Sequence, residues 1–422
     1  MNRLLISLLM LMASLLPAVG QQSITISDIL AGGRKTFPLA GRDSLIRENT
    51  ELQIKNLNNK YLPSLSLEGK ATWQSDVTTI TLPIPGVSFP EFPQDQYKIS
   101  ADIRQLVFDG GLTKSAKEAE TLKAALQNSQ LATAYIPLFH QLNALFHGIL
   151  LMNENEKSLQ GYQTRLIDQE RILNQLTING MAKSSQLDEI KIEQLKIQQN
   201  LEEIEFNRKD ALEALKILSG VPCQANQLTI SLPGPSAQTS NLLRPELQLF
   251  DTQVKLNILQ SQMQSQQQLP KVAAFAQLGY GKPGLNMFAT EFKEYAIVGI
   301  NLSWTIYDWG ETRNNKRKFS LESSKTEQDR ALFVQNTQIK INSYQNQQEK
   351  IQILLESQQN LIELRKTIVS DKEKQVKEGN LLQKSYLDDL NLLIIDEIKL
   401  NELTIRLHQN KIDEEIENGQ IN

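Results

Sequence analysis

The chain has 422 residues, a formal net charge of -4, and a composition that is 40 % hydrophobic and 6 % aromatic. These hydrophobic and aromatic fractions are low for a chain of that length that folds into compact globular domains. The balanced charge predicts no basic surface for a nucleic acid and therefore no nucleic-acid partner. The single cysteine, Cys223, excludes an intrachain disulfide and a thiolate metal site.

The first twenty residues have the three parts of a secretory signal peptide. Arg3 supplies a positive charge, an apolar core runs from Leu4 to Leu16, and the small residue Gly20 precedes the expected cleavage site. This core is shorter than the roughly 20 residues of a membrane-spanning helix. We predict a signal peptide at 1-20 and no transmembrane helix after it.

Two segments of alternating polarity come next in the chain. Apolar residues alternate with polar ones in "LSLEGKATW" from Leu65 and again in "YKISADIRQ" from Tyr97. This period of two predicts strands with one apolar and one polar face. Together they form a predicted β-hairpin at about 64-107.

A long helix-favouring region follows this hairpin. It is broken by a turn at Gly180 in "INGMAKSSQLDE", which predicts a helical hairpin at about 112-218. Pro137 is expected to kink or interrupt the first helix. The first helix of this hairpin would be roughly 100 Å long, and a helix of that length needs a partner helix beside it. A connecting segment rich in proline and glycine occupies 219-243.

The second half of the chain has the same order of elements. The segments "VAAFAQLGY" and "EYAIVGINLSW" predict a second β-hairpin at about 271-306. Between Glu311 and Asn418 there is no proline and only one glycine, Gly379, which predicts a second helical hairpin at about 311-418.

Three pairs of markers lie 199 residues apart: Asp109 and Asp308, Gly111 and Gly310, and Gly180 and Gly379. Three equal offsets predict an internal duplication. The first structural repeat occupies 21-243 and the second occupies 244-422.

The predicted strands have the length of transmembrane β-strands, about 9 to 11 residues. A soluble sheet with one buried face would have the same alternation. In a membrane, however, an open four-stranded sheet leaves unpaired edges, so several chains must combine. Two chains give eight strands, which is too narrow for a channel, and three give twelve.

The ordered motifs resemble those of TolC-family outer-membrane efflux proteins. They are "YLPSLSL" and "QLPKVAAF" before the two hairpins, an aromatic-Asp-x-Gly element after each hairpin, "RPELQ" at Arg244, and the turns at Gly180 and Gly379. The resemblance implies an α+β membrane protein, built as a homotrimer with a 12-stranded β-barrel of four strands per chain. This barrel would continue into a long periplasmic α-helical barrel.

The resemblance also implies a location and partners. The location is the bacterial outer membrane, where the barrel contacts outer-membrane lipid, and a large periplasmic part contacts a periplasmic adaptor (membrane fusion) protein. That adaptor is coupled to an inner-membrane pump of RND, ABC or MFS type, and the channel itself is a passive exit duct of a tripartite efflux system. The candidate adaptor-contact residues at the two helical tips are Gly180, Ser184, Ser185, Gly379 and Ser385.

The family often closes its tunnel with a ring of acidic side chains beyond the second tip. Asp388 is the best positional match here, and the neighbouring Asp389 is the other candidate. Without the resemblance, both residues are better explained as solvated charges on a helix face, and with the resemblance the two explanations are equally favoured. A three-fold axis would bring three such carboxylates together, where they attract cations and repel one another.

The repeated aromatic-Asp-x-Gly element is predicted to mark the barrel-to-helix junctions. An aromatic residue suits a membrane interface, a glycine permits a sharp change of backbone direction, and the aspartate can cap the new helix. The junction residues are Phe108, Asp109, Gly111, Tyr307, Asp308 and Gly310.

Neither an enzyme nor a cofactor is predicted, because no nucleophile elbow, phosphate loop or histidine-carboxylate cluster has a suitable sequence context. His140 and His147 are read as packed or solvated side chains rather than metal ligands. Two alternatives remain open: an exit duct for type I protein secretion, and a secreted coiled-coil or adhesion protein without a pore. The segment "AGGRKTFPLAG" departs from the helix-rich start of many relatives, so the packing of residues 21-43 is left open.

Overall fold

The computed structural model of the chain describes residues 23-78, 92-180, 182-230, 242-287, 289-378 and 380-421. The predicted signal peptide and the predicted turn residue Gly379 lie outside the described residues. No helix in the described part of the chain combines the length and the hydrophobicity needed to span a bilayer.

The elements follow one another in two similar series. In chain order they are α1 (Ile26–Thr36), α2 (Arg42–Asn59), β1 (Ser64–Trp73), β2 (Asp95–Phe108), α3 (Leu112–Ile178), α4 (Ser184–Ser219), a 3-10 turn (Ala225–Gln227), α5 (Pro245–Gln267), β3 (Lys271–Lys282), β4 (Lys293–Ser303), α6 (Glu311–Lys377) and α7 (Gln383–Asn418). Each series has two strands, a helix of 67 residues and a helix of 36 residues, in that order. Two helices, α1 and α2, precede the strands of the first series, and one helix, α5, precedes those of the second.

The chain divides into two compact units. One takes in the chain up to Ala40, Ala132–Pro245 and the chain from Val334 onward. The other comprises Gly41–Leu131 and Glu246–Phe333. The two compact units do not coincide with the two predicted sequence repeats. Residues of each repeat lie in both units.

The strands form one antiparallel sheet in the order β1-β2-β3-β4, within the second unit. The register aligns Leu65, Ile103, Ala276 and Val298 in one row across all four strands. The predicted strands with one apolar face are therefore confirmed. Large side chains on that face are exposed to solvent, among them Leu65, Leu67, Ile99, Val298, Ile300 and Leu302.

The first unit has two hydrophobic clusters built from several helices. In one cluster, Leu166 of α3, Ile190 of α4, Ile362 of α6 and Leu390 of α7 are all buried. The other cluster joins α1, α3, α4 and α7. The long helices therefore find the partner helices that their length requires.

Helix α1 settles the packing of part of the N-terminal segment. Its glycines allow the backbone to come close to its neighbours, because a Cβ at Gly33 would lie 2.5 Å from Cδ1 of Leu142. A Cβ at Gly32 would lie 2.5 Å from the backbone oxygen of Ser219. The two glycines that weaken the helical pattern in sequence are thus the residues that let this helix pack.

The expected interruption of α3 at Pro137 does not occur, since the helix is continuous from Leu112 to Ile178. Proline removes one backbone hydrogen bond from a helix interior. The next turn nevertheless buries Leu138, Phe139 and Leu142 in the cluster with α1. We attribute the continuity of the helix to this packing, which offsets the local cost.

The cluster formed by α3, α4, α6 and α7 generates a prediction about stability. Leu390 is 1 % exposed, whereas Leu392 on the same helix is 42 % exposed. Leu390→Ala should lower the free energy of unfolding by about 2 to 5 kcal/mol, because it leaves a cavity in a packed core. The matched control Leu392→Ala should cost much less, as measured by denaturant titration of the helical circular dichroism. Equal losses in the two variants would contradict this packing.

Candidate functional site

Both junctions between strand and helix have the same hydrogen-bonded geometry. The Asp109 carboxylate accepts hydrogen bonds from the backbone N–H groups of Gly111 at 3.0 Å and Thr113 at 2.8 Å. In the second repeat, Asp308 accepts from Gly310 at 3.1 Å and from Thr312 at 2.8 Å. Each aspartate thus satisfies N–H groups at the start of a 67-residue helix that have no partner inside that helix.

Each junction aspartate also holds the segment that leads into its own hairpin. The Tyr61 hydroxyl, just before β1, donates to Asp109 at 2.8 Å. The Gln268 amide, just before β3, donates to Asp308 at 2.7 Å. Burial alone would raise the pKa of Asp109, but hydrogen bonds from Thr113, Tyr61 and Gly111 outweigh it and lower that pKa. Hydrogen bonds from Thr312 lower the pKa of Asp308 to about 2.

The two junctions differ at the residue between the aspartate and the glycine. Gly110 has φ +70°, and its counterpart Trp309 has φ +55°. A Cβ at Gly110 would lie 2.7 Å from Cβ of Leu269, so only glycine fits there. Trp309 is 87 % exposed, yet its backbone has a left-handed conformation that costs a bulky L-residue about 1 to 2 kcal/mol.

The predicted junction aromatics are exposed side chains. Phe108 is 49 % exposed and Tyr307 is 68 % exposed. The rings of Tyr307 and Trp309 make a T-shaped contact with centroids 5.0 Å apart. Gly111 and Gly310 have φ +84° and +86°, which is the backbone conformation that favours glycine.

At the first helical tip, α3 ends at Ile178 and Gly180 takes a left-handed conformation with φ +73°. Helix α4 begins at Ser184, and the side chain of Gln186 accepts a hydrogen bond from the backbone N–H of Lys183 at 3.1 Å. The predicted contact residues Ser184 and Ser185 are both exposed.

The second tip is organised differently from the first. Ser385 is only partly exposed, and its hydroxyl accepts a hydrogen bond from Nζ of Lys372 at 2.9 Å. Lys372 also makes an ion pair with Asp389. Ser385 is therefore held by its own chain, unlike Ser184 and Ser185.

The two candidate gate residues have different surroundings. Asp389 is 16 % exposed and forms ion pairs with Arg365 and Lys372 of α6. Arg365 also donates to Asp396 at 3.1 Å. Asp388 is exposed, and neither an ion pair nor a hydrogen bond joins its carboxylate to another residue in the described ranges. Of the two carboxylates, only that of Asp388 is without a partner in the described ranges.

A chain of hydrogen bonds joins α3, α4 and α7 close to these residues. The hydroxyl of Tyr162 donates to Oδ1 of Asn391 at 3.0 Å, and Nδ2 of Asn391 donates to Oε2 of Glu193 at 3.2 Å. Burial raises the pKa of the Tyr162 phenol. Sequence reasoning missed these residues, because no local pattern indicates a contact between residues 229 positions apart.

A partly buried charge network lies at the other end of α7. Nδ1 of His140 lies 2.7 Å from Oδ1 of Asp413, and Nε2 lies 3.4 Å from Oε1 of Glu417. Arg244 donates to Oε2 of Glu417 at 2.8 Å, and Lys340 lies 3.3 Å from Oε1. The His140 imidazole of α3 thus connects α3 with α7 through its contacts with Asp413 and Glu417.

The second histidine of the predicted pair is packed. His147 is 2 % exposed, and burial lowers its pKa to about 4. Its Nδ1 lies 3.0 Å from the backbone oxygen of Asn143. Within the described ranges, no group of histidine, cysteine or acidic residues has the arrangement of a metal site.

Solved structures of outer-membrane proteins resemble this chain over 93 % of its length. They include the outer membrane protein VceC from Vibrio cholerae, which is 12 % identical, with 96 % of that chain covered and a TM-score of 0.70. The outer membrane channel CmeC of Campylobacter jejuni is 14 % identical, with 84 % covered and a TM-score of 0.66. The open state of the Neisseria gonorrhoeae outer membrane channel MtrE is 13 % identical, with 88 % covered and a TM-score of 0.70.

These likenesses show the fold. No family model and no curated protein sequence matches the chain. At 12 to 14 % identity, the predicted resemblance to TolC-family proteins is confirmed for the fold.

The network around His140 predicts a pH-dependent contribution to stability. Burial alone would lower the pKa of His140, but Asp413 and Glu417 outweigh it and raise that pKa from 6.5 to about 9. The stabilisation is therefore complete below about pH 6.5 and is lost as the pH rises towards 9. Between those pH values, the wild type should lose more free energy of unfolding than His140→Gln does, as measured by denaturant titration at each pH. Parallel pH profiles would contradict the ion pairs.

Proposed function

We propose that this chain is one subunit of an outer-membrane channel that serves as a passive exit duct of a tripartite efflux system. In this proposal three chains associate, and their strands close a twelve-stranded barrel in the outer membrane. The helices continue the duct into the periplasm. The fold likeness to outer-membrane proteins is the first support for this function.

The sheet is the observation that carries the proposal. Its apolar face is continuous across four strands and exposed, which suits hydrocarbon rather than water. Each edge strand, β1 or β4, pairs with only one strand among the described residues. Unpaired backbone groups are costly in a bilayer, so the edges of this sheet must pair with further strands. Copies of the same chain supply such strands by closing a barrel.

The proposed gate uses Asp388. Because Arg365 and Lys372 pair with Asp389 within the protomer, Asp389 is less available to ions in the duct. Three copies of the exposed Asp388 around a three-fold axis would form a ring that attracts cations. Opening requires α7 to move relative to α3 and α4, which means exchanging the hydrogen bonds that Asn391 makes with Tyr162 and Glu193.

The proposed adaptor contact lies at the helical tips. Ser184 and Ser185 are exposed next to the left-handed turn at Gly180, which supports a surface available to a periplasmic adaptor protein. Ser385 is held by Lys372, so its part in adaptor contact requires exchange of that hydrogen bond. Adaptor binding drives opening only if the adaptor binds the open state more tightly than the closed state.

The channel proposal is tested on protein extracted from membranes. We expect a complex of three chains by light scattering and stepwise ion conductance when that complex is added to planar lipid bilayers. The same protein should fractionate with outer membranes. A water-soluble elongated product that inserts into no bilayer would overturn the proposal.

The gate is tested by exchanging one carboxylate at a time. Asp388→Asn should weaken block of the conductance by divalent cations on the order of tenfold, which corresponds to ~1.4 kcal/mol of lost cation attraction. The control Asp389→Asn should instead raise the open probability without changing the block, because it removes the ion pairs by which Arg365 and Lys372 of α6 hold this position of α7. Unchanged block in the Asp388 variant would reject its role.

A further inference from the structure

The first nine residues of α6, Glu311 to Phe319, carry a strong positive charge. They contain four cations and one carboxylate, which gives a net charge of +3. The cations are Arg313, Lys316, Arg317 and Lys318, and we call them the basic turn. All four are exposed, and none makes an ion pair with a carboxylate in the described residues.

The matching residues of the first repeat lack this charge. At the offset of 199 residues, the nine residues from Leu112 to Glu120 contain two lysines and two glutamates. Their net charge is zero. Both helices follow a junction aspartate with the same capping geometry. The basic turn is therefore not needed to make such a junction.

The helix itself does not favour these cations. The start of a helix carries a partial positive charge, which disfavours Lys and Arg in the first turn and favours anions there. Arg313 lies in that first turn, and the other three cations lie in the second. The N–H groups at this helix end are already satisfied by Asp308. No carboxylate of the described residues pairs with these cations, so they are available to an anion from outside the chain.

Exposed aromatic residues lie directly before the basic turn. Trp304, Tyr307 and Trp309 are 57 %, 68 % and 87 % exposed. Trp309 keeps its indole at a backbone position where the first repeat has Gly110. Trp309 is a bulky residue in a strained conformation, and its side chain is largely exposed apart from the contact with the Tyr307 ring, which points to a role for the side chain itself. Exposed Trp and Tyr next to an apolar surface are typical of a membrane interface.

From these observations we infer that the basic turn and the aromatic residues before it form a binding site for anionic phospholipid headgroups, on the side of the membrane where the helices begin. The inference rests on the proposed barrel. Because β4 ends at Ser303, the basic turn begins ten residues after the end of the proposed membrane-spanning strand, at Arg313. It spans about 10 Å of helix, which is comparable to the Debye length at physiological salt. Clustered Lys and Arg at that depth attract anionic headgroups.

The test compares lipid selectivity in three proteins. One variant changes Arg313, Lys316, Arg317 and Lys318 to Gln. The matched control changes Lys191, Lys209, Lys255 and Lys350 to Gln, which are four exposed lysines without ion pairs in the described ranges. Each protein is reconstituted in vesicles that contain phosphatidylcholine and phosphatidylglycerol. The preference for spin-labelled phosphatidylglycerol over phosphatidylcholine in the lipid shell is then measured.

We expect the wild type and the control to prefer phosphatidylglycerol, with a preference that falls as salt is added. The basic-turn variant should lose this preference about tenfold or more, since each cation near an anionic surface contributes on the order of a fivefold factor. Trp309→Gly should weaken the preference without any change of charge. Excess soluble glycerol phosphate should leave the wild-type preference in place, because the site takes the headgroup at the membrane surface.

Three outcomes would overturn the inference. Equal lipid preferences in the wild type and the basic-turn variant would do so, and so would full competition by soluble glycerol phosphate. The third is a basic-turn variant that keeps the wild-type lipid preference but conducts anions with altered selectivity. This result would indicate that the basic turn lines the duct instead of contacting lipid. Failure of the wild type to conduct at all is a separate result that overturns the channel proposal.

Discussion

The change from strand to helix at the two junctions is the constraint on which the rest of this fold depends. In the sheet, backbone N–H groups pair with a neighbouring strand, whereas the first N–H groups of a helix have no partner inside it. Asp109 and Asp308 resolve this in the same way, because each caps a helix and binds the segment that precedes its own hairpin. One carboxylate thereby caps the start of a 67-residue helix and holds the segment that enters the hairpin.

Long helices also need contacts that fix their rotation about the helix axis. Leucine and isoleucine supply most of the buried surface in the cluster of α3, α4, α6 and α7, but such contacts are not strongly directional. Hydrogen bonds and ion pairs are directional, and here they connect different helices: Tyr162 with Asn391, and Arg365 with Asp389 and Asp396. We suggest that the apolar contacts hold these helices together and the polar contacts set which faces meet.

The sequence predicts what depends on local pattern. Alternating polarity predicts the strands, and the position of Gly180 predicts the turn between α3 and α4. The constant offset predicts that helices of 67 and 36 residues occur twice. The sequence did not predict the continuity of α3 through Pro137, because tertiary burial of Leu138 and Phe139 outweighs a local penalty. Nor did it separate Asp388 from Asp389, whose difference depends on the face that α7 turns towards α6. Contacts such as His140 with Asp413 join residues 273 positions apart and leave no local signal.

The duplication allows backbone and side-chain roles to be distinguished inside one molecule. Where the repeats share a conformation and a residue, as at Gly111 and Gly310, the backbone explains the residue. Gly110 and Trp309 share the left-handed conformation but not the side chain, so the backbone cannot explain the tryptophan. The same argument applies to the charge that follows, because both helices are capped alike while only α6 begins with four cations. The second junction therefore has two chemical features that the change from strand to helix does not require. They are an exposed aromatic surface and, directly after it, a cluster of unpaired positive charges.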